Sequence, residues 1–415
     1  MEEYFTRLSQ DALAATPSAF VRPLYDNITW EAASIALLGT RGVGKTTLLL
    51  QRMRALGLPP REALYIDLGD LYFQQNRLFE FAQRFRSQGG RYLFIDEVHR
   101  YGFAGEWAQE IKQLYDLYRS DLHIAFTGSS AVRILDQRAD LSRRVLQFRV
   151  PGLSFREYLR LYHDLSFAPV SLTDLLHDSV SVVHHLVRER GLRPLAYFTD
   201  YLQHGYYPYG LELREGYLRR VNETIQLVLE SDLPAVVERG EVGYTKIGRL
   251  LYAVASSAPF KPNVSKLAER LALSRETVLR YLQLLQRADI LINLRAAGKG
   301  ISTLSKPDKI YLNNTNLLYA LAPTEVSIGT VRETFLANQL DVLTHERHVA
   351  ATEVRLPKRG DFLLRHRTGD YLLEVGGPEK DRRQIGAAPN HYAVVDAEST
   401  EVGERVPLWV FGMMY

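Results

Sequence analysis

Five short apolar runs, residues 34–38, 63–68, 92–95, 122–126 and 145–150, mark the first third of the chain. Each is continuous rather than alternating, which is the pattern of strands buried on both faces. Between them, residues 46–56, 78–87 and 106–118 carry apolar positions at helical spacing. Strand and helix therefore alternate, and the expectation is an α/β domain with a parallel sheet covered by helices. From 154 to 233 the pattern is mostly helical. It opens on Ser154-Phe155-Arg156-Glu157, where Ser154 and Glu157 have the spacing of a capping box.

A third pattern occupies 264–294. Val264, Leu267, Ala268 and Leu271 share one helical face, and Val278, Leu282 and Leu285 share another, across a turn at Ala272-Leu273-Ser274. Ser274 is positioned to cap the second helix. From about Val331 strands return, with a hairpin signal at Thr368-Gly369-Asp370. No internal repeat or low-complexity tract interrupts the sequence. The expected division is a P-loop domain at 1–152, a helical lid or linker at 153–240, a winged-helix domain at 241–325 and a last α+β domain at 326–415.

Composition changes this picture little. A chain of 415 residues exceeds what one hydrophobic core supports, and 46% hydrophobic with 24% charged residues is ordinary for a soluble globular protein. The formal net charge of +3 is too small to argue for nucleic acid by itself. With no cysteine, disulfides, thiolate metal sites and cysteine nucleophiles are excluded. The N-terminus is acidic, and no apolar run nears the roughly 18 to 20 residues of a membrane span. A cytoplasmic protein without membrane contact is expected.

Chemistry enters at Gly39-Thr40-Arg41-Gly42-Val43-Gly44-Lys45-Thr46, followed by Thr47, between the first apolar run and the first helix. Strand, glycine-rich loop and helix together make a P-loop. The glycines let backbone N–H groups turn toward phosphate oxygens, and the helix N-terminus adds partial positive charge. Lys45 is expected on the β- and γ-phosphates of ATP and the Thr46 hydroxyl on magnesium. The run 92–95 ends in Asp96-Glu97. Asp96 is expected to hold the metal and Glu97 to polarise the attacking water, which a hydrolase needs and a small-molecule kinase does not. His99 either senses nucleotide or is a plain surface histidine, and the second is the expectation. Thr127 and Ser129 either hold the attacking water or serve only the turn.

These motifs, with Thr127-Gly128-Ser129-Ser130, Arg143-Arg144 and then Leu153-Ser154-Phe155-Arg156-Glu157-Tyr158, resemble the prokaryotic AAA-type ATPases of the AAA+ superfamily, fused to a C-terminal domain of unknown function. The resemblance covers nearly the whole chain, including the ending Val406-Pro407-Leu408-Trp409-Val410-Phe411-Gly412. It implies a sensor strand lying between the strands of the two phosphate-site motifs. It also implies that Arg143 or Arg144, with Arg144 preferred, stabilises transition-state charge in cis or in trans; two solvated arginines are the alternative. Glu333, Asp361 and Glu374 resemble the carboxylates of a restriction-endonuclease-like core. Gly376 stands where such a core has its lysine, and the nearest substitute is Lys380. An inactive nuclease domain is the expectation.

The leading reading is thus a slow, magnesium-dependent ATPase whose nucleotide state controls C-terminal interaction domains that bind DNA or a protein partner. The alternative is a DNA-binding or DNA-processing protein that ATP merely orders. In that case Arg275, Thr277, Arg280 and Gln283 read a major groove. Oligomeric state stays open.

Overall fold

The structure, a computed structural model, describes residues 2–103, 106–130, 141–211, 214–236, 243–297, 306–345, 353–380 and 389–415. The described chain forms two compact units. The first comprises Met1–Gly152 and Gln226–Gly243, the second Leu153–Ile225 and Tyr244–Tyr415.

In the first unit the apolar runs become strands β1 (Ser34–Gly39), β2 (Ala63–Asp67), β3 (Tyr92–Asp96), β4 (His123–Ser129) and β5 (Leu146–Arg149). They pair in parallel in the order β2-β3-β4-β1-β5. β4 accordingly lies between β3 and β1, and runs three residues beyond the expected strand, through Thr127 to Ser129. That extension arises because Leu37, Leu38 and Gly39 of β1 pair with Thr127, Gly128 and Ser129. The sheet centre is dry: Leu37, Leu93 and Ile95 are fully buried, each contributing about 1.5–3 kcal/mol.

Helix α1 (Glu2–Ala15) brings Phe5 into a ring cluster with Tyr72, Phe73 and Phe81. α2 (Lys45–Leu56) starts where the glycine-rich loop ends. Gly42 and Gly44 there adopt φ of 81° and 92°, a left-handed backbone that side chains resist. α3 (Leu78–Ser87) buries Leu78, Phe81, Ala82 and Phe85, and α4 (Trp107–Tyr118) buries Trp107, Ile111 and Leu114.

The second unit begins with helix Phe155–His163, whose capping box is formed: Glu157 N donates to Ser154 Oγ at 3.1 Å and Ser154 N to Glu157 Oε2 at 3.0 Å. Helices Tyr244–Ala255, Val264–Leu271 and Arg275–Arg287 precede an antiparallel pair, β6 (Leu291–Leu294) and β7 (Lys309–Leu312). Thr277 N donates to Ser274 Oγ at 3.0 Å, capping the third of these helices. Helix Ile328–His345 then accompanies a mixed sheet of β8 (Glu353–Arg355), β9 (Phe362–His366), β10 (Gly369–Gly376), β11 (His391–Val395) and β12 (Arg405–Pro407). β8, β9 and β10 pair antiparallel, and β10, β11 and β12 pair parallel. The terminal Trp409, Val410 and Phe411 are buried in this unit. Among the described residues, no helix is long and apolar enough to cross a membrane.

Candidate functional site

Parallel pairing sets the carboxyl ends of β1, β3 and β4 side by side, and these ends carry the candidate residues. Thr46, in the first turn of α2, donates its hydroxyl to Asp96 Oδ2 at 2.8 Å. Two more hydroxyls reach the same carboxylate: Tyr65 of β2 at 2.9 Å on Oδ2, and Thr127 of β4 on Oδ1. Tyr65 has no counterpart in the sequence expectations. Its only signal is a phenol in an otherwise apolar run on the strand beside β3. Burial, then Asp96, drives its pKa well above the ordinary value. Thr127 also accepts from Glu97 N at 3.0 Å, so it ties the backbone of one acid to the side chain of the other. A hydroxyl and a carboxylate brought together are hard oxygen donors of the kind magnesium takes.

Lys45 is buried, and its ammonium donates to the carbonyls of Gly39 and Thr40 at 3.0 and 2.9 Å. Burial lowers its pKa, while Glu97, Asp96 and Asp232 work in the other direction. Arg22 braces the loop from outside the motif, donating to the Val43 carbonyl at 3.1 Å and to Pro151 and Gly152 carbonyls at 2.7 and 3.0 Å.

Glu97 adopts φ 52°, a left-handed backbone for a non-glycine residue, at a cost of order 1–3 kcal/mol. Its carboxylate lies 3.3 Å from His99 Nε2 and 3.4 Å from Arg41 Nη2. Burial opposes its ionisation, yet His99, Lys45 and Arg41 hold its pKa down at about 2. His99 is a correction to the sequence expectation. Its side chain is 1% exposed, so it is no surface histidine, because the turn after β3 folds it in against Glu97. Ser129 N donates toward its Nδ1 at 3.4 Å.

The remaining member of this group was invisible in the sequence. Asp232 is fully buried and lies 3.3 Å from His99 Nε2. It accepts from Arg41 at 2.8–3.2 Å through both Nε and Nη2. Burial opposes its charge, and hydrogen bonds from His99 and Arg41 outweigh that, holding its pKa well below the usual range. The same two acids raise the pKa of His99 against its own burial. Val43 is buried, and Thr47 stands in the first turn of α2. Arg143 is exposed at the end of a short turn, and Arg144 donates to Asp116 of α4 at 2.6 Å.

In the second unit Glu333, Asp361 and Glu374 are drawn toward lysines. Lys309 of β7 is ion-paired with Glu333 Oε2 at 2.5 Å and lies 3.8 Å from Asp361 Oδ1; Tyr311 also donates to Glu333 at 2.9 Å. Lys380 reaches Glu374 at 2.6 Å. Gly376 explains how. A Cβ there would lie 2.4–2.8 Å from the Lys380 side chain, so the lysine stem runs through the space a side chain at 376 would fill. Among the described residues, no group of three or more His, Asp or Glu side chains has the arrangement to hold a metal ion.

Comparison with known proteins matches residues 31–159 to an AAA domain family and residues 195–327 to a Domain of unknown function (DUF8612). A relative from Methanocaldococcus jannaschii, "Uncharacterized protein MJ1637", is 25% identical over 380 residues, covering 85% of this chain and 77% of its own length. Among solved structures, replication initiator DnaA bound to AMPPCP and single-stranded DNA is similar at a TM-score of 0.29 and 14% identity. It covers 69% of this chain and 91% of its own. AMPPCP-bound DnaA from Aquifex aeolicus gives 0.27 and 15%, covering 68% and 88%. The chain therefore carries an AAA-type ATP-binding P-loop domain, joined to a domain of unknown function.

Proposed function

We propose that the first unit is a slow, magnesium-dependent ATPase whose nucleotide state controls the second. The observation that carries this reading is the Thr46–Asp96 contact of 2.8 Å, with Glu97 as the next residue and the glycine-rich loop beside it. The backbone of Gly39 to Thr46, with Thr47, cradles the phosphates, and Lys45 leaves its own loop carbonyls to bind them. Thr46 and Asp96 hold magnesium, which when bound neutralises charge on the phosphate oxygens. Glu97 accepts the proton of the water that attacks the γ-phosphorus, releasing ADP and phosphate. His99, Lys45 and Arg41 keep Glu97 ionised against its burial, which is the form that accepts a proton. Arg144, which donates to Asp116 of α4, is the arginine assigned to transition-state charge, in cis or in trans.

The test is turnover and binding in parallel. Lys45→Ala should lose Mg-ATP binding, and Glu97→Gln should bind but not turn over. Hydrolysis by Glu97→Gln at the wild-type rate would remove Glu97 from the water.

The second unit reads as a winged helix followed by an inactive restriction-endonuclease-like domain. The Lys309 ammonium between Glu333 and Asp361 supports inactivity, since it supplies the positive charge there without a metal. Magnesium-dependent cleavage of single- or double-stranded DNA by the full chain would contradict this. Exposed Arg275 and Arg280 on the third helix favour DNA as a second reading of the partner. Salt-sensitive DNA retardation should then disappear in the Arg275→Ala/Arg280→Ala variant.

A further inference from the structure

Arg41 belongs to the phosphate-binding loop by sequence, yet its guanidinium is engaged by a carboxylate from a distant part of the chain. Nε donates to Asp232 Oδ1 and Oδ2 at 3.0 and 3.2 Å, and Nη2 donates to Oδ1 at 2.8 Å. The Asp232 side chain is 0% exposed and that of Arg41 22%, so the carboxylate end of the pair is closed to water. The other side of the same Nη2 faces Glu97 at 3.4 Å. A pair of oxygens gripping two guanidinium nitrogens is also how a phosphate group holds arginine. Asp232 thus offers Arg41 the same kind of contact that a nucleotide would.

The backbone around Asp232 is unusual as well. Val228–Asp232 winds as a π-helical turn, a strained form that recurs at functional sites. It lies in Gln226–Gly243, the piece of the first unit that is bracketed in sequence by the two parts of the second.

We propose that Asp232 is the nucleotide sensor of this chain: its carboxylate holds Arg41 until a nucleotide phosphate takes the guanidinium, and its release loosens residues 226–236. The proposal rests on reading the P-loop as an ATP site, and names the element through which nucleotide state reaches the second unit. A ligand shifts such an equilibrium only by its differential affinity for the two states. Mg-ATP grips Arg41 only in the released state, so its apparent affinity is reduced by the cost of breaking the Arg41–Asp232 pair.

The experiment titrates the full chain with Mg-ATP. Asp232→Asn should bind at least fivefold more tightly than wild type. In an Arg41→Gln background the same substitution should change affinity by less than twofold, because no guanidinium is left to compete for. Asp232→Asn binding like wild type would overturn the proposal. So would equal tightening in both backgrounds, which is the signature of a carboxylate acting only as a remote negative charge. A second readout needs no variant and so does not depend on Asp232→Asn folding: in wild type, amide exchange across 226–236 should speed at least threefold on adding Mg-ATP. Unchanged or slower exchange would overturn the proposal. Wild type that does not bind Mg-ATP at all would overturn the ATP reading and the sensor together.

Discussion

Each unit gathers carboxylates around cations, but the two clusters use their cations differently. In the second unit each ammonium is committed to acids of its own neighbourhood: Lys309 to Glu333 and Asp361, Lys380 to Glu374. In the first unit Lys45 rests on loop carbonyls, and Arg41 and His99 are each shared between Glu97 and Asp232. An incoming anion takes Lys45 from neutral carbonyls at small cost, and takes Arg41 only by breaking its bidentate pair with Asp232; each lysine of the second unit would leave an acid behind. The first cluster is built for exchange at a set cost and the second for permanence.

The strongest way to break the comparison is Glu97→Gln. Turnover should fall roughly a thousandfold, within the range of a lost general base, while Mg-ATP affinity stays within about threefold; single-turnover rates with a binding titration check both. Next is Lys309→Ala, which leaves Glu333 and Asp361 without their cation. The expected loss is about 3 kcal/mol of unfolding free energy, at the low end for a broken buried pair because both acids are partly exposed. Denaturant titration measures it, and a loss below about 0.5 kcal/mol would mean the second cluster is no more committed than the first. Tyr65→Phe is milder. Asp96 keeps two of its three hydroxyl donors, and half-maximal turnover should need roughly tenfold more magnesium, the usual size of such an indirect effect on a metal.

The smallest effect is on pH dependence. His99 gains its proton affinity from Asp232 and Glu97, so its folded pKa lies above the unfolded value. Its stabilising contribution is complete below about pH 6.5, the unfolded value, and fades as pH rises through the folded one. Thermal melts between pH 6 and 9 should show that decline in wild type and a flatter profile in His99→Gln. Parallel profiles would mean that His99 binds its proton no more tightly in the folded protein than in the unfolded chain.

Much of the first site was legible because its signals are local. A glycine-rich loop between strand and helix, and an apolar run ending in Asp96-Glu97, each lie within a dozen residues. The strand order followed from the family resemblance, and the pairing of β4 between β1 and β3 agrees with it. Tyr65 was hidden because its phenol looks like one more apolar residue until β2 is placed beside β3. Asp232 was hidden because 191 residues separate it from Arg41, and an acid in a polar helical stretch reads as solvated. His99 was misread for the same reason: a histidine flanked by charge looks exposed until its buried partners are known. In the second unit Gly376 read as a missing lysine, whereas the glycine is what lets the Lys380 stem pass.

The divided first unit also bears on how the protein is made. Chains fold as they leave the ribosome, N-terminal parts first. Residues 1–152 emerge with the sheet and the glycine-rich loop, but the segment bearing Asp232 follows only after residues 153–225 have been synthesised. Until then Arg41 and His99 have Glu97 but not Asp232 beside them. The nascent phosphate site passes through an interval in which nucleotide meets an arginine that Asp232 does not yet grip, and that restraint arrives only once part of the second unit has been made.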